Sequence, residues 1–262
     1  MFRHLTGRPV AKPEWGSTEL EPWFPNSHEK IGEMWFEEPG DPLLIKFLFT
    51  TGKLSVQVHP DDAYARAHHN SRGKTEMWHV LAAEPGAQIA AGFREPISED
   101  RLRASALSGE IEQLLAWHDA RPGDTFFIPA GTVHAIGPGL VLCEIMENCD
   151  LTYRLYDYGR PRALHLDDAI RVSLRGRSAA RQEAREGILV ACPYFTTEKY
   201  AVSGSLSLNA SAGVQSLVIL EGELTVDGQH TRAGEVWRAQ AVPAPLNLTG
   251  RATLLRILTP DS

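Results

Sequence analysis

The chain has 262 residues, of which 43% are hydrophobic and 23% are charged, a composition typical of a soluble globular protein. Its formal net charge of −7 excludes a broad nucleic-acid-binding face, because such faces are positively charged. The three cysteines show no CxxC spacing, and an odd number cannot all pair, which predicts reduced thiols and a cytoplasmic protein. The N-terminal residues show no apolar core of a signal peptide, and the most apolar run, residues 43–49, is too short to span a membrane.

The chain also contains 22 glycines and 17 prolines, which predict many turns and favour β architecture. In the first part of the chain, hydrophobic patterning predicts strands at residues 42–49, 54–59, 77–82, 88–93, 125–128, 140–146 and 152–156, with a further strand carrying His134. Helices are predicted at residues 62–69, 98–118 with a break at Ser108-Gly109, and 166–174. We expect residues 1–40 to form a cover of loops and short strands.

A polar stretch at residues 177–186 is predicted to link two domains. Residues 1–176 would form a catalytic barrel with the N-terminal cover and a helical segment, and residues 187–262 a smaller β domain. Strands are predicted there at residues 195–202, 215–220, 223–226, 235–239 and 252–258. The turn-and-strand pattern of residues 122–130 is repeated weakly at residues 233–239. No histidine follows the second copy, so we expect the second domain to be metal-free.

A set of nitrogen- and oxygen-bearing side chains indicates a metal site. Gln57 and His59 lie two residues apart on a predicted strand, so their side chains share one face. Glu76 follows in Gly-Lys-Thr-Glu-Met-Trp, and His134 in Pro-Ala-Gly-Thr-Val-His. One amide oxygen, two imidazoles and a carboxylate suit a borderline divalent ion such as zinc. A surface pairing of Glu76 with Lys74 is the alternative interpretation.

Lys46 is a cation within an otherwise apolar strand, and a buried lysine is rare without a partner. Ser55 shares a face with Gln57 and His59, so a phosphate near the metal could contact both Lys46 and Ser55. In the alternative interpretation, Lys46 extends from an edge strand into solvent. Phosphate binding by Lys46 and Ser55 is therefore a hypothesis.

The motif Gly-Asp-x-Phe-Phe-Ile-Pro-Ala-Gly-x-x-His, residues 123–134, is of the cupin type. Read together with Gln57-Val58-His59-Pro60 and Lys74-Thr75-Glu76, it makes the sequence similar to class I, zinc-dependent mannose-6-phosphate isomerases of the short bacterial type. The resemblance runs from residue 15 to the last strand and is strongest over residues 43–160. It implies a mainly β fold with two cupin-type (jelly-roll) barrels in tandem and a few short helices, one zinc ion per chain, and the interconversion of mannose 6-phosphate and fructose 6-phosphate.

The resemblance also implies roles for individual residues. Four positions match the zinc ligands of the family, namely Gln57, His59, Glu76 and His134. Four more match catalytic positions, namely Arg154 as the essential arginine and Glu144, Asp150 and Lys74 as acid/base or substrate-orienting groups. Lys46 and Ser55 fall where the family is thought to hold the phosphate. Arg160 stands where longer members carry a lysine, and we expect it to bind substrate.

An aldose and a ketose interconvert by proton transfer between adjacent carbons through a cis-enediol. Arg154 remains charged and would stabilise the developing negative charge, but it cannot act as a base. The base must be neutral or anionic near pH 7, which leaves Glu144, Asp150, or Lys74 with a lowered pKa. The sequence does not choose among them. We favour Glu144, because burial on its apolar strand would raise its pKa towards the useful range.

Other functions remain open at this stage. The chain could be a non-catalytic, regulatory cupin that binds sugar phosphates, or an isomerase of another sugar. An iron-dependent cupin oxygenase is a third reading, although such sites prefer histidines and a carboxylate to an amide. Asp150 and Arg154 could form a purely structural ion pair. The expected partner is a small sugar phosphate, with no nucleic acid and no membrane, and the protein would be a monomer or a homodimer.

Overall fold

Three antiparallel sheets make up most of the regular structure in residues 2–260, the part of the chain that the computed structural model describes. The N-terminal part contains strands β1 (Arg3–Leu5), β2 (Arg8–Ala11), β3 (Ile31–Phe36), β4 (Leu43–Thr50), β5 (Val56–Val58), β6 (Glu76–Ala83), β7 (Gln88–Phe93), β8 (Leu115–Asp119), β9 (Thr125–Ile128), β10 (His134–Ile136), β11 (Leu140–Glu147) and β12 (Tyr153–Tyr156). Its helices are α1 (Asp62–His69), α2 (Glu99–Ser108), α3 (Ile111–Leu114) and α4 (Leu166–Val172). The later strands are β13 (Arg181–Gln182), β14 (Ile188–Ala191), β15 (Thr196–Leu208), β16 (Gln215–Val226), β17 (Gln229–Arg232), β18 (Val236–Ala239) and β19 (Leu246–Leu258).

The sheets form two packed layers in the N-terminal part and one further sheet beyond it. The central sheet has the order β13-β9-β6-β11-β4-β3-β2, and the small sheet has the order β12-β5-β10-β7-β8. Leu142 and Trp78 of the central sheet pack against Ile89 and Ile136 of the small sheet. The C-terminal sheet has the order β1-β18-β16-β19-β15-β14, with β17 paired to β16. Within residues 2–260, no helix has the length and apolar character needed to cross a membrane.

Both faces of the central sheet are buried, which positions the site. In β4, Ile45 and Phe47 belong to a cluster that also contains Val218 of the C-terminal sheet. Lys46 and Leu48 point the opposite way, because side chains alternate along a strand, and Leu48 packs towards the small sheet. Residues 43–49 therefore form an apolar run in the sequence that only Lys46 interrupts, as is typical of strands with two covered faces.

The C-terminal sheet curls around its own core. In β16, Leu217 and Ile219 contribute to this core from odd positions, whereas Leu224 and Val226 contribute from even positions. A register shift between Ile219 and Glu221 accounts for the change, because one extra residue in a strand moves all later side chains to the opposite face. Both halves of this long strand can thus bury apolar side chains in one cluster.

Several predicted elements are confirmed. Helix α1 covers the predicted residues 62–69, where the Asp61 side chain accepts from the Tyr64 N–H and Asn70 ends the helix in the left-handed region. Strands β7 and β9 also match their predicted bounds. The predicted helix at residues 98–118 is wrong in its last part, since residues 115–119 form β8. Leu115 fits the helical spacing, but it is extended and pairs with Phe93 of β7.

Contacts between the N-terminal and C-terminal parts extend across the predicted domain boundary. Strand β13, inside the predicted linker, pairs with β9, and β1 joins the C-terminal sheet through β18. Arg238 forms a buried ion pair with Asp41, and Lys199 Nζ lies 3.1 Å from the buried His79 Nε2. The division into residues 1–176 and 187–262 stays a prediction.

Candidate active site

One row of side chains crosses three strands of the small sheet. Arg154 on β12 pairs in register with Gln57 on β5, and Gln57 pairs in turn with His134 on β10. Residues directly opposite one another in an antiparallel sheet point to the same face. The row therefore brings together three strand residues that are distant in the sequence, with Gln57 and His134 separated by 77 positions.

Glu76 on β6 completes a group of donors from the central sheet. Its Oε1 lies 3.5 Å from His59 Nε2 and 3.3 Å from His134 Nε2. The donor atoms of His59, Glu76 and His134 all lie within 4.8 Å of one another, and all three residues are buried. The three donors could hold a metal ion.

The hydrogen bonds of both histidines suit metal binding. His59 Nδ1 lies 2.8 Å from the Leu151 carbonyl oxygen, and His134 Nδ1 lies 2.8 Å from the Thr132 carbonyl oxygen. A carbonyl only accepts, so each Nδ1 carries the proton and each Nε2 presents a lone pair. Burial, helped by the nearby Lys74, lowers the pKa of His59 to about 3, and burial also lowers the pKa of His134. Both rings are therefore neutral near pH 7, as metal-ligating imidazoles are.

Three buried atoms of this group lack a hydrogen-bond partner. His59 Nε2, Glu76 Oε1 and Glu76 Oε2 make no hydrogen bond within residues 2–260. An unpaired buried polar atom is costly unless an ion or water satisfies it. Burial alone would raise the pKa of Glu76, but the positive charge of Lys74 is the main cause that outweighs it, and the pKa lies well below its usual range. The carboxylate is thus anionic and available to a cation.

Gln57 lies beside these three donors, but its amide nitrogen, rather than its amide oxygen, faces His134. Its Nε2 is 3.3 Å from His134 Nε2, and its Oε1 accepts from Ser55 Oγ at 3.1 Å. A metal ligand would have to use the amide oxygen, because an amide nitrogen carries no free lone pair. The structure places Gln57 at the site, and its role as the fourth ligand stays a prediction.

A second row, in the central sheet, holds a buried carboxylate. Glu144 on β11 pairs in register with Lys46 on β4 and with Trp78 on β6. Glu144 Oε2 lies 3.3 Å from Lys46 Nζ, and Glu144 Oε1 accepts from Trp78 Nε1 at 2.8 Å. Burial raises the pKa of Glu144, and the Lys46 charge only partly offsets this. Lys46 also lies 4.0 Å from Glu33 and over the Trp35 ring, so it is buried and does not extend into solvent.

Except for His134, the members of these two rows line a cavity of about 320 Å³. It brings together five cationic and three acidic side chains, although the chain as a whole carries a net charge of −7. Its charged lining residues are Lys12, Lys46, Lys74, Arg154, Arg162, Glu33, Glu144 and Asp150. The pocket is therefore locally positive, which favours an anionic ligand.

Most of the predicted substrate and catalytic residues line this cavity, namely Lys46, Ser55, Lys74, Glu144, Asp150 and Arg154. Arg160 does not. Its Nη2 donates to the Lys53 carbonyl oxygen at 2.8 Å, and its Nη1 lies 3.4 Å from Asp157 Oδ1. Arg162, two residues later, lies at the cavity instead.

Several lining residues were not predicted from the sequence, among them Lys12, Glu33, Trp78 and Arg162. Glu33 carried a signal like that of Lys46, since it is a charged residue in the apolar strand β3. Trp78 lies two residues after Glu76 and so shares its face. Lys12 and Arg162 lie outside strands, and no periodic pattern marks them.

Comparisons with known proteins give the family. The mannose-6-phosphate isomerase of Streptococcus mutans is 39% identical over 195 residues, which cover 70% of this chain and 61% of that protein. The mannose-6-phosphate isomerase ManA of Bacillus subtilis is 38% identical over 223 residues, which cover 79% of this chain and 70% of that protein. The chain belongs to the mannose-6-phosphate isomerase family. A scan against protein-family models finds no match.

The fold agrees with this family. The crystal structure of the mannose 6-phosphate isomerase from Bacillus subtilis superposes with a TM-score of 0.84 at 27% identity, and the match covers 97% of this chain and 98% of that one. This confirms the predicted mainly β, cupin-type fold. In sequence, the chain spans about three fifths of the length of the Streptococcus relative.

Proposed function

We propose that the protein interconverts mannose 6-phosphate and fructose 6-phosphate as an aldose–ketose isomerase with one bound zinc ion. The observation that carries the proposal is the convergence of three features in one pocket. Buried metal donors from both sheets lie beside it, the buried carboxylate Glu144 lines it, and cations outnumber carboxylates on its wall. The names of the curated relatives point to the same reaction.

The shape and charge of the cavity support a sugar phosphate as substrate. A volume of about 320 Å³ lies at the lower end of the range for ligand pockets and suits one small molecule. The lining contains hydroxyl, amide and charged groups rather than a continuous apolar wall, with Ser55, Gln57 and Asp150 among them. Such groups can hydrogen-bond sugar hydroxyls, while the excess of positive charge would bind the phosphate.

Zinc is the proposed ion because imidazole and carboxylate donors suit it. His59, Glu76 and His134 would hold it, with Gln57 as a fourth ligand. When bound, it would polarise the oxygens of the sugar. The protein itself contributes the orientation of the donors, since both histidine rings are fixed through Nδ1.

Glu144 is the proposed base that moves the proton between the two sugar carbons. Its raised pKa brings the carboxylate closer to the operating pH, where general bases are most effective. Trp78 and Lys46 fix one oxygen each, so the group is held in place. Burial would lower the pKa of Lys74, but Glu76 outweighs it and the net shift is upward. A protonated Lys74 would orient substrate rather than act as the base.

Arg154 is proposed to stabilise the negative charge that develops as the carbon loses its proton. Its buried Nε has no hydrogen-bond partner within the described residues, so the group is available to a ligand. Two hydrogen bonds tie its backbone to His165, from Arg154 N to His165 Nδ1 at 3.1 Å and from His165 N to the Arg154 carbonyl at 2.8 Å.

We propose a cytoplasmic location on the basis of the cysteines, since all three are free in the structure. The proposed partner is the sugar phosphate alone. A monomer and a homodimer both remain predictions.

A substrate panel tests the function. Zinc-loaded protein is incubated in D₂O with mannose 6-phosphate, mannose, glucose 6-phosphate or ribose 5-phosphate, and deuterium entry at carbon 2 is followed by NMR. We expect exchange and ketose formation with mannose 6-phosphate, and far slower reaction with mannose. Binding of mannose 6-phosphate without exchange would instead support a non-catalytic binding protein. Preferential turnover of another sugar would replace the proposed substrate.

A further inference from the structure

Arg162 is a cavity residue that the proposed chemistry does not use. It lies in the loop between β12 and α4 rather than on a strand, yet its side chain lines the same cavity as Arg154. A cation on the wall of a pocket can bind an anionic ligand.

Asp157 fixes Arg162 in this position. Arg162 Nε donates to Asp157 Oδ2 at 2.6 Å, and Nη2 donates to Asp157 Oδ1 at 2.7 Å. Asp157 is 2% exposed, so the carboxylate of this paired contact is shielded from water. The contact uses the Nε and Nη2 edge of the guanidinium and leaves the N–H groups of Nη1 for a ligand.

The three lysines of the cavity each lie close to a carboxylate. Lys46 lies between Glu144 and Glu33, at 3.3 and 4.0 Å. Lys12 Nζ lies 3.2 Å from Glu33 Oε2, and Lys74 Nζ lies 3.2 Å from Glu76 Oε2. Glu144 and Glu33, the partners of Lys46 and Lys12, line the cavity, whereas Asp157, the partner of Arg162, does not. A ligand that contacts Arg162 therefore does not face the carboxylate that pairs with it.

We propose that Arg162 binds the phosphate group of the substrate, and that Asp157 is a positioning residue for Arg162. The inference rests on the proposed function, since it names the site that takes the phosphate of the sugar. It differs from the sequence-based hypothesis, which gave the phosphate to Lys46 and Ser55 and a substrate contact to Arg160. Planar, paired N–H groups suit phosphate oxygens better than a single ammonium does.

The test compares Arg162→Ala with Arg160→Ala and Lys46→Ala, the variants of the competing assignments. The exposed Arg177, which pairs with Glu95 at the surface, provides the control Arg177→Ala. For Arg162→Ala we expect KM for mannose 6-phosphate to rise about 10- to 100-fold, the effect of losing a charge-assisted hydrogen bond. The inhibition constant of inorganic phosphate should rise in parallel, and kcat should change much less.

Arg162→Lys tests the geometry, because lysine keeps the charge but cannot form the paired contact with Asp157. We expect an intermediate increase in KM. Thermal melts of every variant show whether the fold is intact.

The proposal is overturned if Arg162→Ala, folded as judged by its melt, binds inorganic phosphate like the unmodified protein. It is equally overturned if only Arg160→Ala or Lys46→Ala weakens phosphate binding. Direct calorimetry with inorganic phosphate needs no turnover, so it tests this site even where the substrate panel shows no isomerase activity.

Discussion

His134→Ala is expected to remove both the bound metal and the isomerase activity. His134 is fully buried, its Nε2 faces Glu76 at 3.3 Å, and its Nδ1 is fixed by the Thr132 carbonyl. Loss of one donor from a three- or four-ligand site removes the ion, and with it several kcal/mol of transition-state stabilisation, or on the order of 10³-fold in kcat/KM. Metal content by mass spectrometry and the coupled isomerase assay measure the two effects.

Because alanine leaves a cavity at a buried position, His134→Gln serves as a second variant of similar volume. We expect it to fold and to show reduced zinc content and low activity. His28, which is exposed, provides the matched histidine control His28→Ala, expected to keep both metal and turnover. Full activity in folded His134→Ala or His134→Gln would refute the ligand assignment.

Glu144→Gln is expected to lower kcat by about 10²- to 10⁴-fold, the usual contribution of a positioned general base. The amide keeps the size of the side chain and can still accept from Trp78, but it cannot take a proton. Zinc content should be unchanged, because Glu144 is not a proposed metal ligand. Stopped assays at saturating mannose 6-phosphate measure kcat, and metal analysis of the same sample checks the site.

The pH profile adds a second readout for Glu144. A base must be unprotonated, and burial raises the pKa of this carboxyl above its ordinary value. Activity of the unmodified protein should therefore fall as the pH drops through that raised pKa, at a higher pH than an ordinary glutamate would cause. In Glu144→Gln this acid limb should disappear from the residual activity.

Glu33→Gln is the matched control for Glu144→Gln. Glu33 also lines the cavity and also lies near Lys46, so its replacement changes the charge balance without removing the proposed base. We expect it to lose less than about tenfold in kcat, the scale of an indirect electrostatic effect. An equal loss in both variants would show that the negative charge near Lys46, rather than proton transfer, explains the result.

The sequence was sufficient to predict an element where neighbouring residues, such as helix caps, set its bounds. Helix α1 begins at a capping aspartate and ends at an asparagine in the left-handed region, so both bounds were predictable. The strand at residues 115–119 was missed because Leu115 fits a helical spacing. Its true state depends on pairing with β7, which lies more than twenty residues earlier in the chain.

The candidate site likewise contains some residues that the sequence could predict and others that it could not. Gln57 and His59 share a strand face, which their spacing alone indicates. The contact of Glu144 with Lys46 and Trp78 depends on the register of three strands, and no local pattern fixes that register. Arg162 was missed for a similar reason, since a loop places it and the distinction from Arg160 rests on the contact with Asp157.

Anomalous diffraction at the zinc absorption edge, from crystals of the zinc-loaded protein, tests the metal site most directly. We predict one peak per chain, about 2.0–2.2 Å from His59 Nε2, His134 Nε2 and a Glu76 oxygen. The same map would show whether the Gln57 oxygen is a fourth ligand. A peak at another position, or no peak in crystals of fully active protein, would contradict a metal centre built from these residues.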